Sequence, residues 1–272
     1  MEIKNLSATP VEIIIDCFLK SFQNYFVTLP TDHQYWKDRF HNVKVDWSLS
    51  FGAFENEKLV GFIINGIDVH NGKLTAYNTG TGVLPEFRGR RLVDKMYEQA
   101  FPEFKKNGIE KCLLEVIVEN TPAKKVYQRI GFSITRNLRS FSGEISNTSE
   151  AIKPELTTYS EVLQTGLYDS ESYCWESRAE AVKMAEELTK SYLVRDVKQN
   201  VEGYFTLGQA GNIIQLEEKD GNYSALLNSV GTLEENVKLK NVASDRNKLI
   251  SELENRGFKN TVNQHEMELL LS

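Results

Sequence analysis

Hydrophobic positions recur at helical spacing in two stretches near the start of the chain. Over 10–27 the apolar residues return every three or four positions, which predicts an amphipathic helix. A second helix is predicted over roughly 31–42, with Thr31 or Asp32 as its N-terminal cap. The chain is therefore predicted to open with two consecutive helices.

Strand patterns then alternate with helical ones. Strands are predicted over 49–54, 59–64, 73–84, 112–118 and 133–144, and helices over 89–107 and 122–130. The polar residues 55–58 predict a hairpin between the first two strands, and Gly108 and Gly131 are typical helix stops. This order of elements extends to about residue 144.

The second half repeats such an order after a polar stretch with a proline, 147–154, which predicts a linker. Helices are predicted near 157–164, 176–190, 223–230 and 245–256, and strands over 192–197, 201–207, 212–217, 236–242 and 261–271. The segment Leu253–Phe258 also mirrors Val126–Phe132. We therefore expect two domains, 1–145 and 155–272, the second a degenerate copy of the first.

Composition is ordinary for a globular protein, at 272 residues with 40% hydrophobic residues. No apolar run approaches the ~20 residues that span a bilayer, and the start is not a signal peptide, so we expect a cytoplasmic protein without a membrane partner. Cys17, Cys112 and Cys174 are far apart and in apolar company, which favours buried thiols. The four histidines have no metal-ligand spacing, so we expect no metal.

Charge is unevenly distributed along the chain. Residues 1–140 hold 19 Lys and Arg against 16 Asp and Glu, a net of +3, whereas 141–272 hold 13 against 22, a net of −9. The basic half suits an anionic ligand, and the acidic half argues against a nucleic-acid platform. We expect no nucleic-acid partner.

A basic turn lies between a predicted strand and a predicted helix, at Arg88-Gly89-Arg90-Arg91. Backbone N–H groups at a helix start and the positive end of the helix dipole point at the same spot, so such a turn can bind an anion. Read alone, the same residues are equally consistent with a solvated basic helix start.

This turn, together with the later block from Asn120 through Tyr127 to Phe132, resembles the GNAT superfamily of acyl-CoA N-acyltransferases, of the tandem-domain bacterial type. The resemblance implies an α/β (α+β) fold of two tandem GNAT-like domains, each a mixed, mostly antiparallel twisted sheet flanked by helices. It also implies that acetyl-CoA is the co-substrate. The residues implied to bind this cofactor are Val83, Leu84, Arg88, Gly89, Arg90, Arg91, Leu92, Val93, Asn120 and Ala123.

Two positions depart from the family's turn pattern, Arg/Gln-x-x-Gly-x-Gly/Ala. Arg91 stands where glycine is usual, and Val93 where glycine or alanine is usual. The second half has no Arg-Gly turn and no tyrosine before Gly257, so we expect it not to bind CoA.

The resemblance assigns the general-acid role to Tyr127, since a phenol with a pKa near ~10 is protonated at pH 7 and can donate to the leaving thiolate. The alternative for Tyr127 is a core aromatic. Glu115 lies between Leu114 and Val116 in a buried strand and is the candidate base or amine anchor; the alternative is an ion pair with a neighbouring strand.

Tyr25 and Tyr77 are candidates for the acceptor pocket, with core packing as the alternative for each. The function favoured is an acetyl-CoA-dependent N-acetyltransferase acting on a primary amine of a small molecule or peptide. The alternative is a non-catalytic CoA-binding or scaffold protein, suggested by Arg91 and Val93. The oligomeric state stays open.

Overall fold

The structure, a computed structural model, describes residues 1–23, 25–146 and 151–271. Contacts within the chain divide it into two compact units, Met1–Thr135 with His265–Ser272, and Arg136–Gln264. The predicted domains, 1–145 and 155–272, are segments expected to fold independently. Grouping residues by their contacts does not test this, so the division stays a prediction. Residues 147–150 of the predicted linker lie outside the described residues.

The first unit follows the predicted order of elements, with one strand added before the first helix and the end of the last strand of the chain added at its close. Its elements are β1 (Glu2–Asn5), α1 (Val11–Ser21), α2 (His33–Asn42), β2 (Phe51–Glu55), β3 (Lys58–His70), β4 (Lys73–Val83), α3 (Leu92–Lys106), β5 (Lys111–Ile117), α4 (Thr121–Ile130), the first residues of β6 (Ser133–Glu144) and the end of β12 (Lys259–Leu270). Within the unit the strands lie in the order β1-β2-β3-β4-β5-β12. Pairing is antiparallel from β1 to β4, and β4 pairs with β5 in parallel.

Glycines let α1 lie directly on β4. A Cβ atom at Gly80 would be 2.7 Å from the Phe18 ring, and one at Gly82 would be 2.9 Å from Ser21 Cβ. On α3, the residues Met96, Tyr97, Ala100 and Phe104 are buried in the same core. Helix α1 therefore lies close against β4, and α3 packs into the same core.

The second unit repeats this scheme. Its elements are the rest of β6, β7 (Glu155–Thr157), α5 (Tyr159–Gln164), α6 (Ala179–Met184), β8 (Lys190–Arg195), β9 (Val201–Leu207), β10 (Asn212–Glu218), α7 (Tyr223–Gly231), β11 (Asn236–Ala243), α8 (Asn247–Asn255) and the start of β12. The strand order is β6-β11-β10-β9-β8-β7, with β10 and β11 parallel and the pairs from β8 to β10 antiparallel. A hairpin, a helix, a parallel strand, a helix and a strand follow one another, as in the first unit.

One predicted helix is wrong. The stretch 176–190 holds only the short α6, between two 3-10 turns at Trp175–Ser177 and Glu186–Leu188. The backbone is extended at Arg178 (ψ 167°), whose guanidinium lies 3.6 Å from the centre of the fully buried Trp175 ring. Packing of this pair overrides the helical pattern.

The short edge strands β1 and β7 were not predicted, and α1 ends at Ser21 rather than at residue 27. The expectation for the cysteines is confirmed, since Cys17, Cys112 and Cys174 are buried, free thiols. Among the described residues, no helix is both long and apolar enough to cross a membrane.

Candidate active site

The site begins where two parallel strands separate. Strand β4 pairs with β5 only as far as Asn78 and Leu114, although β4 continues to Val83 and β5 to Ile117. Beyond that pair the facing edges of the two strands are open to each other. A wedge-shaped opening of this kind exposes backbone hydrogen-bonding groups inside the fold, where a long, narrow ligand can use them.

The turn at the mouth of this opening has the backbone of an anion-binding loop. Gly89 has φ +76° and Arg91 has φ +55°, both in the left-handed region, and α3 begins at Leu92. The N–H groups of Leu92 and Val93 belong to the first turn, where helical N–H groups have no partner within the helix. Arg91 therefore adopts the backbone conformation that favours glycine, the residue usual at this position.

The three arginines of the turn have different surroundings. Arg88 donates from Nη2 to the Ser21 carbonyl (2.8 Å) and from Nε to the Val83 carbonyl (3.1 Å), which ties the end of α1 to the end of β4. Arg90 stacks on a phenylalanine ring, 5.0 Å from its centre. Arg91 is exposed and makes no hydrogen bond among the described residues, so its guanidinium is available to an anion.

The main chain at the end of β4 is partly engaged. The Leu84 amide donates to the Val60 carbonyl (2.9 Å), and the Leu84 carbonyl accepts from the Phe87 amide (2.9 Å). The Val83 carbonyl accepts from Arg88. Val83 and Leu84 are the two predicted backbone contacts to the cofactor. Of their main-chain groups, the Val83 amide is therefore the more suitable to bind a ligand.

Tyr127 lies on α4 with its side chain buried, packed edge-on to Phe132 with ring centres 5.8 Å apart. Burial raises the pKa of Tyr127 to about 12, a contact with the Thr81 hydroxyl opposes this rise, and charge on Tyr25 adds to it. Thr81 lies on β4 beyond the last parallel pair. The phenol is thus placed beside the opening and stays protonated at neutral pH.

Asn120 connects α4 to the loop after α1. Its side-chain oxygen caps α4 by accepting from the Ala123 amide (3.2 Å), and its Nδ2 donates to the Tyr25 hydroxyl (3.4 Å). Burial raises the pKa of Tyr25 as well. Three predicted site residues are therefore brought together here, and Tyr127 interacts with the same tyrosine.

Glu115 and Tyr77 lie on the two strands that separate. Tyr77 is buried and opposite Leu113 in the parallel ladder, and Glu115 follows two residues later on β5. Because side chains alternate along a strand, Leu113 and Glu115 share a face. The Glu115 side chain is part-buried at the start of the opening, which suits either of its predicted roles.

Sequence reasoning missed the residues that support the site. Asp94 in the first turn of α3 accepts two hydrogen bonds of 2.7 Å from Arg129 on α4, and this guanidinium lowers the pKa of the Asp94 carboxyl. Thr81 donates to Asn78 Oδ1 at 2.8 Å. The pair Asp94 and Arg129 is 35 residues apart, and no local pattern joins them.

The corresponding opening in the second unit is filled by its own side chains. Strands β10 and β11 are parallel only at Asn212↔Lys238 and Ile213↔Leu239. Beyond that point the Leu216 amide donates to the Tyr173 hydroxyl (3.1 Å), and the Leu216 carbonyl accepts from Arg246 (2.7 Å). The cavity that remains has a volume of about 20 Å³, room for one water molecule.

Arg246 precedes α8 as Asn120 precedes α4. It also donates to Glu217 (2.9 Å) and to the Tyr223 hydroxyl (3.1 Å). Its charge is therefore satisfied inside the second unit, and both the amide and the carbonyl of Leu216 on β10 are engaged.

The sequence profile of the acetyltransferase (GNAT) family matches residues 11–132, which span the turn, the opening and Tyr127. This part of the chain is therefore similar to a GNAT acetyltransferase domain. The chain is 29% identical over 122 residues to N-alpha-acetyltransferase 30 of Schizosaccharomyces pombe, covering 38% of this chain and 81% of that protein.

Two solved structures extend the likeness to the whole chain. A tandem GNAT protein from the clavulanic acid biosynthesis pathway has a TM-score of 0.70 at 13% identity and covers 100% of this chain and 98% of its own. A putative acetyltransferase from Pyrococcus horikoshii has a TM-score of 0.67 at 12% identity, covering 99% and 89%. At these identities the two structures show the fold alone, and they confirm the predicted fold class. The family profile and the S. pombe relative confirm the predicted GNAT resemblance and enzyme class.

Proposed function

We propose that the chain transfers an acetyl group from acetyl-CoA to a primary amine. The observation that carries the proposal is the opening between β4 and β5, with the turn before α3 at its mouth and Tyr127 beside it. The turn offers N–H groups and arginines to a pyrophosphate, and the opening offers strand edges to a pantetheine arm. Acetyl-CoA, when bound there, supplies the acetyl thioester.

The residues of the first unit divide the chemistry among them. Glu115 anchors the amine or accepts a proton from it, so that the neutral nitrogen can attack the thioester carbonyl. Backbone N–H groups of β4 stabilise the developing oxyanion. When the carbon–sulfur bond breaks, Tyr127 gives its proton to the thiolate, since its raised pKa keeps it protonated until then. Tyr25 and Tyr77 border the acceptor side.

We propose a peptide α-amine as the first acceptor to test, because the S. pombe relative is named an N-alpha-acetyltransferase. A small-molecule amine is the other candidate. The test is a thiol-release assay with acetyl-CoA against peptides with free and with blocked N-termini, alongside a panel of small amines. Thiol release that depends on a free amine supports the proposal. Absence of thiol release with every acceptor in the panel opposes it.

Replacing Arg91 with glycine should weaken acetyl-CoA binding by about 1.5–3 kcal/mol if the guanidinium pairs with a phosphate, and should flatten the salt dependence of binding. The same change relieves a left-handed backbone that costs a non-glycine residue about 1–2 kcal/mol, so the melting temperature should rise. Calorimetry and thermal unfolding measure both. Tighter binding by the variant would instead favour the non-catalytic scaffold.

Each chain should bind one acetyl-CoA, because Tyr173 and Arg246 occupy the second opening. Calorimetric titration of the full chain should give a stoichiometry of one. A variant with Arg88, Arg90 and Arg91 replaced by alanine should lose that binding. Residual binding of one equivalent in this variant would place a cofactor in the second unit and contradict the assignment.

A further inference from the structure

A second phenol lies beside Tyr127. Tyr97 on α3 is 1% exposed, and its ring centre is 5.6 Å from that of Phe132, the ring on which Tyr127 also packs at 5.8 Å. Burial raises the pKa of Tyr97 well above its usual value, and charge on Tyr127 raises it further, as expected of neighbouring phenols. The two tyrosines come from different helices, α3 and α4, and both face Thr81 on β4.

No described residue makes a hydrogen bond of 3.5 Å or less with the Tyr97 hydroxyl, although the Thr81 hydroxyl lies nearby. A buried hydroxyl without a partner is destabilising, and native proteins satisfy most such groups. Phenylalanine would fill the same space without that cost. We therefore expect the Tyr97 hydroxyl to donate a hydrogen bond to an acceptor at some step of the catalytic cycle.

Two oxygens near Tyr97 can accept its proton, those of Thr81 and Tyr127. Thr81 faces both phenols as an acceptor, since it donates its own proton to Asn78 at 2.8 Å, and Tyr127 becomes the stronger acceptor of the two once it is a charged phenolate. Cys112 on β5 faces Tyr97 as a buried thiol, and Tyr25 faces Tyr127 as a part-buried phenol. Of these groups, only Tyr97 combines complete burial with an uncommitted hydroxyl proton.

We propose that Tyr97 is a positioning residue for Tyr127, donating a hydrogen bond to the phenolate oxygen that Tyr127 carries after it has protonated the thiolate. The inference rests on the acid role of Tyr127 under the proposed function. In the step, the carbon–sulfur bond breaks, the thiolate takes the Tyr127 proton, and Tyr97 keeps its own. The phenolate is reprotonated from solvent before the next turnover, which balances the proton that the amine has lost.

The test is Tyr97→Phe, alone and combined with Tyr127→Phe. The single variant should lower kcat by about 10- to 100-fold, since a hydrogen bond to a charged group is lost at the step that forms it. KM for acetyl-CoA should stay unchanged, and the solvent deuterium isotope effect on kcat should increase. In the Tyr127→Phe background the second change should have no further effect on kcat.

Stability gives a readout that does not depend on activity. Tyr97→Phe removes an unsatisfied buried hydroxyl and should leave the melting temperature equal or higher. Tyr159→Phe in the second unit is the matched control, because the hydroxyl of Tyr159 donates to Gln215 at 2.9 Å. The control should lower the melting temperature and leave kcat unchanged.

The outcomes separate the two claims. If Tyr127→Phe leaves kcat unchanged, the acid role under the proposed function fails. If Tyr127→Phe lowers kcat but Tyr97→Phe does not, or if the two losses multiply in the double variant, the acid role stands and the positioning role of Tyr97 is overturned.

Discussion

Tyr127→Phe should lower kcat by about 10²–10⁴-fold while acetyl-CoA affinity stays near that of the parent protein. The hydroxyl acts only when the thiolate leaves, and burial raises its pKa to about 12, so it is protonated throughout the neutral range. The phenylalanine ring preserves the edge-on contact with Phe132, so the fold is retained. Steady-state kinetics with a responsive amine and calorimetry with acetyl-CoA measure the two effects separately.

The pH dependence adds a second check on the same residue. Because the pKa is raised, the acid form persists as pH increases, and no loss of turnover due to Tyr127 should occur below about pH 10. The parent protein should keep its kcat from pH 8 to pH 10, apart from the gain caused by deprotonation of the amine. An unchanged kcat in Tyr127→Phe would show that solvent or another group protonates the thiolate.

Glu268→Gln should destabilise the first unit by about 3 kcal/mol, the lower end of the range for breaking a buried ion pair. Lys111 on β5 is only 6% exposed in its side chain and donates to Glu268 on β12 at 2.8 Å, with His70 Nδ1 at 3.2 Å. Glutamine still accepts a hydrogen bond but leaves the ammonium charge uncompensated. The magnitude stays at the lower end because Glu268 is 26% exposed.

The measurement is denaturant unfolding in a Trp175→Phe background, so that fluorescence comes from Trp36 and Trp47 of the first unit alone. Glu103→Gln is the matched control, because its pair with Lys106 is exposed and should contribute at most about 1 kcal/mol. Replacing Lys111 and Glu268 together by Met and Leu should restore much of the loss. Equal effects of the two glutamine variants would contradict the role of the pair.

This pair also bears on fragments of the chain. The predicted first domain ends at residue 145, whereas the first compact unit of the structure includes His265–Ser272. Met267 is fully buried in the core of that unit. A fragment ending near residue 146 would lack this side chain and the partner of Lys111, so we expect it to be far less stable than the full chain.

Local chemistry made much of the first unit predictable. The hairpin between β2 and β3 turns through Asn56 and Glu57, both with positive φ, within the predicted polar turn. Gly131 has φ +118° and ends α4 where the glycine indicated a stop. These features depend on a few consecutive residues, so their causes are present in the sequence.

The candidate site was predictable only in part. The turn before α3, Asn120 and Tyr127 carry a local pattern, and the structure brings Asn120, Tyr25 and Tyr127 together. Thr81 and Tyr97 have no such pattern, because a threonine in a strand and a tyrosine in an amphipathic helix are ordinary residues. Their importance arises from the contact of β4 with two helices that are distant in sequence.

The sequence by itself determined the order of the elements, the positions of most turns and the residues of the basic loop, because short-range sterics, capping and hydrophobic period act within a few residues. Tertiary structure alone decided which strand completes which unit, since the period of β12 is the same whichever neighbour it pairs with. It also decided that α6 is short, that Tyr173 and Arg246 fill the second opening, and that Tyr97 and Tyr127 both pack on Phe132. These features rest on burial and on contacts between distant residues, which a local pattern does not encode.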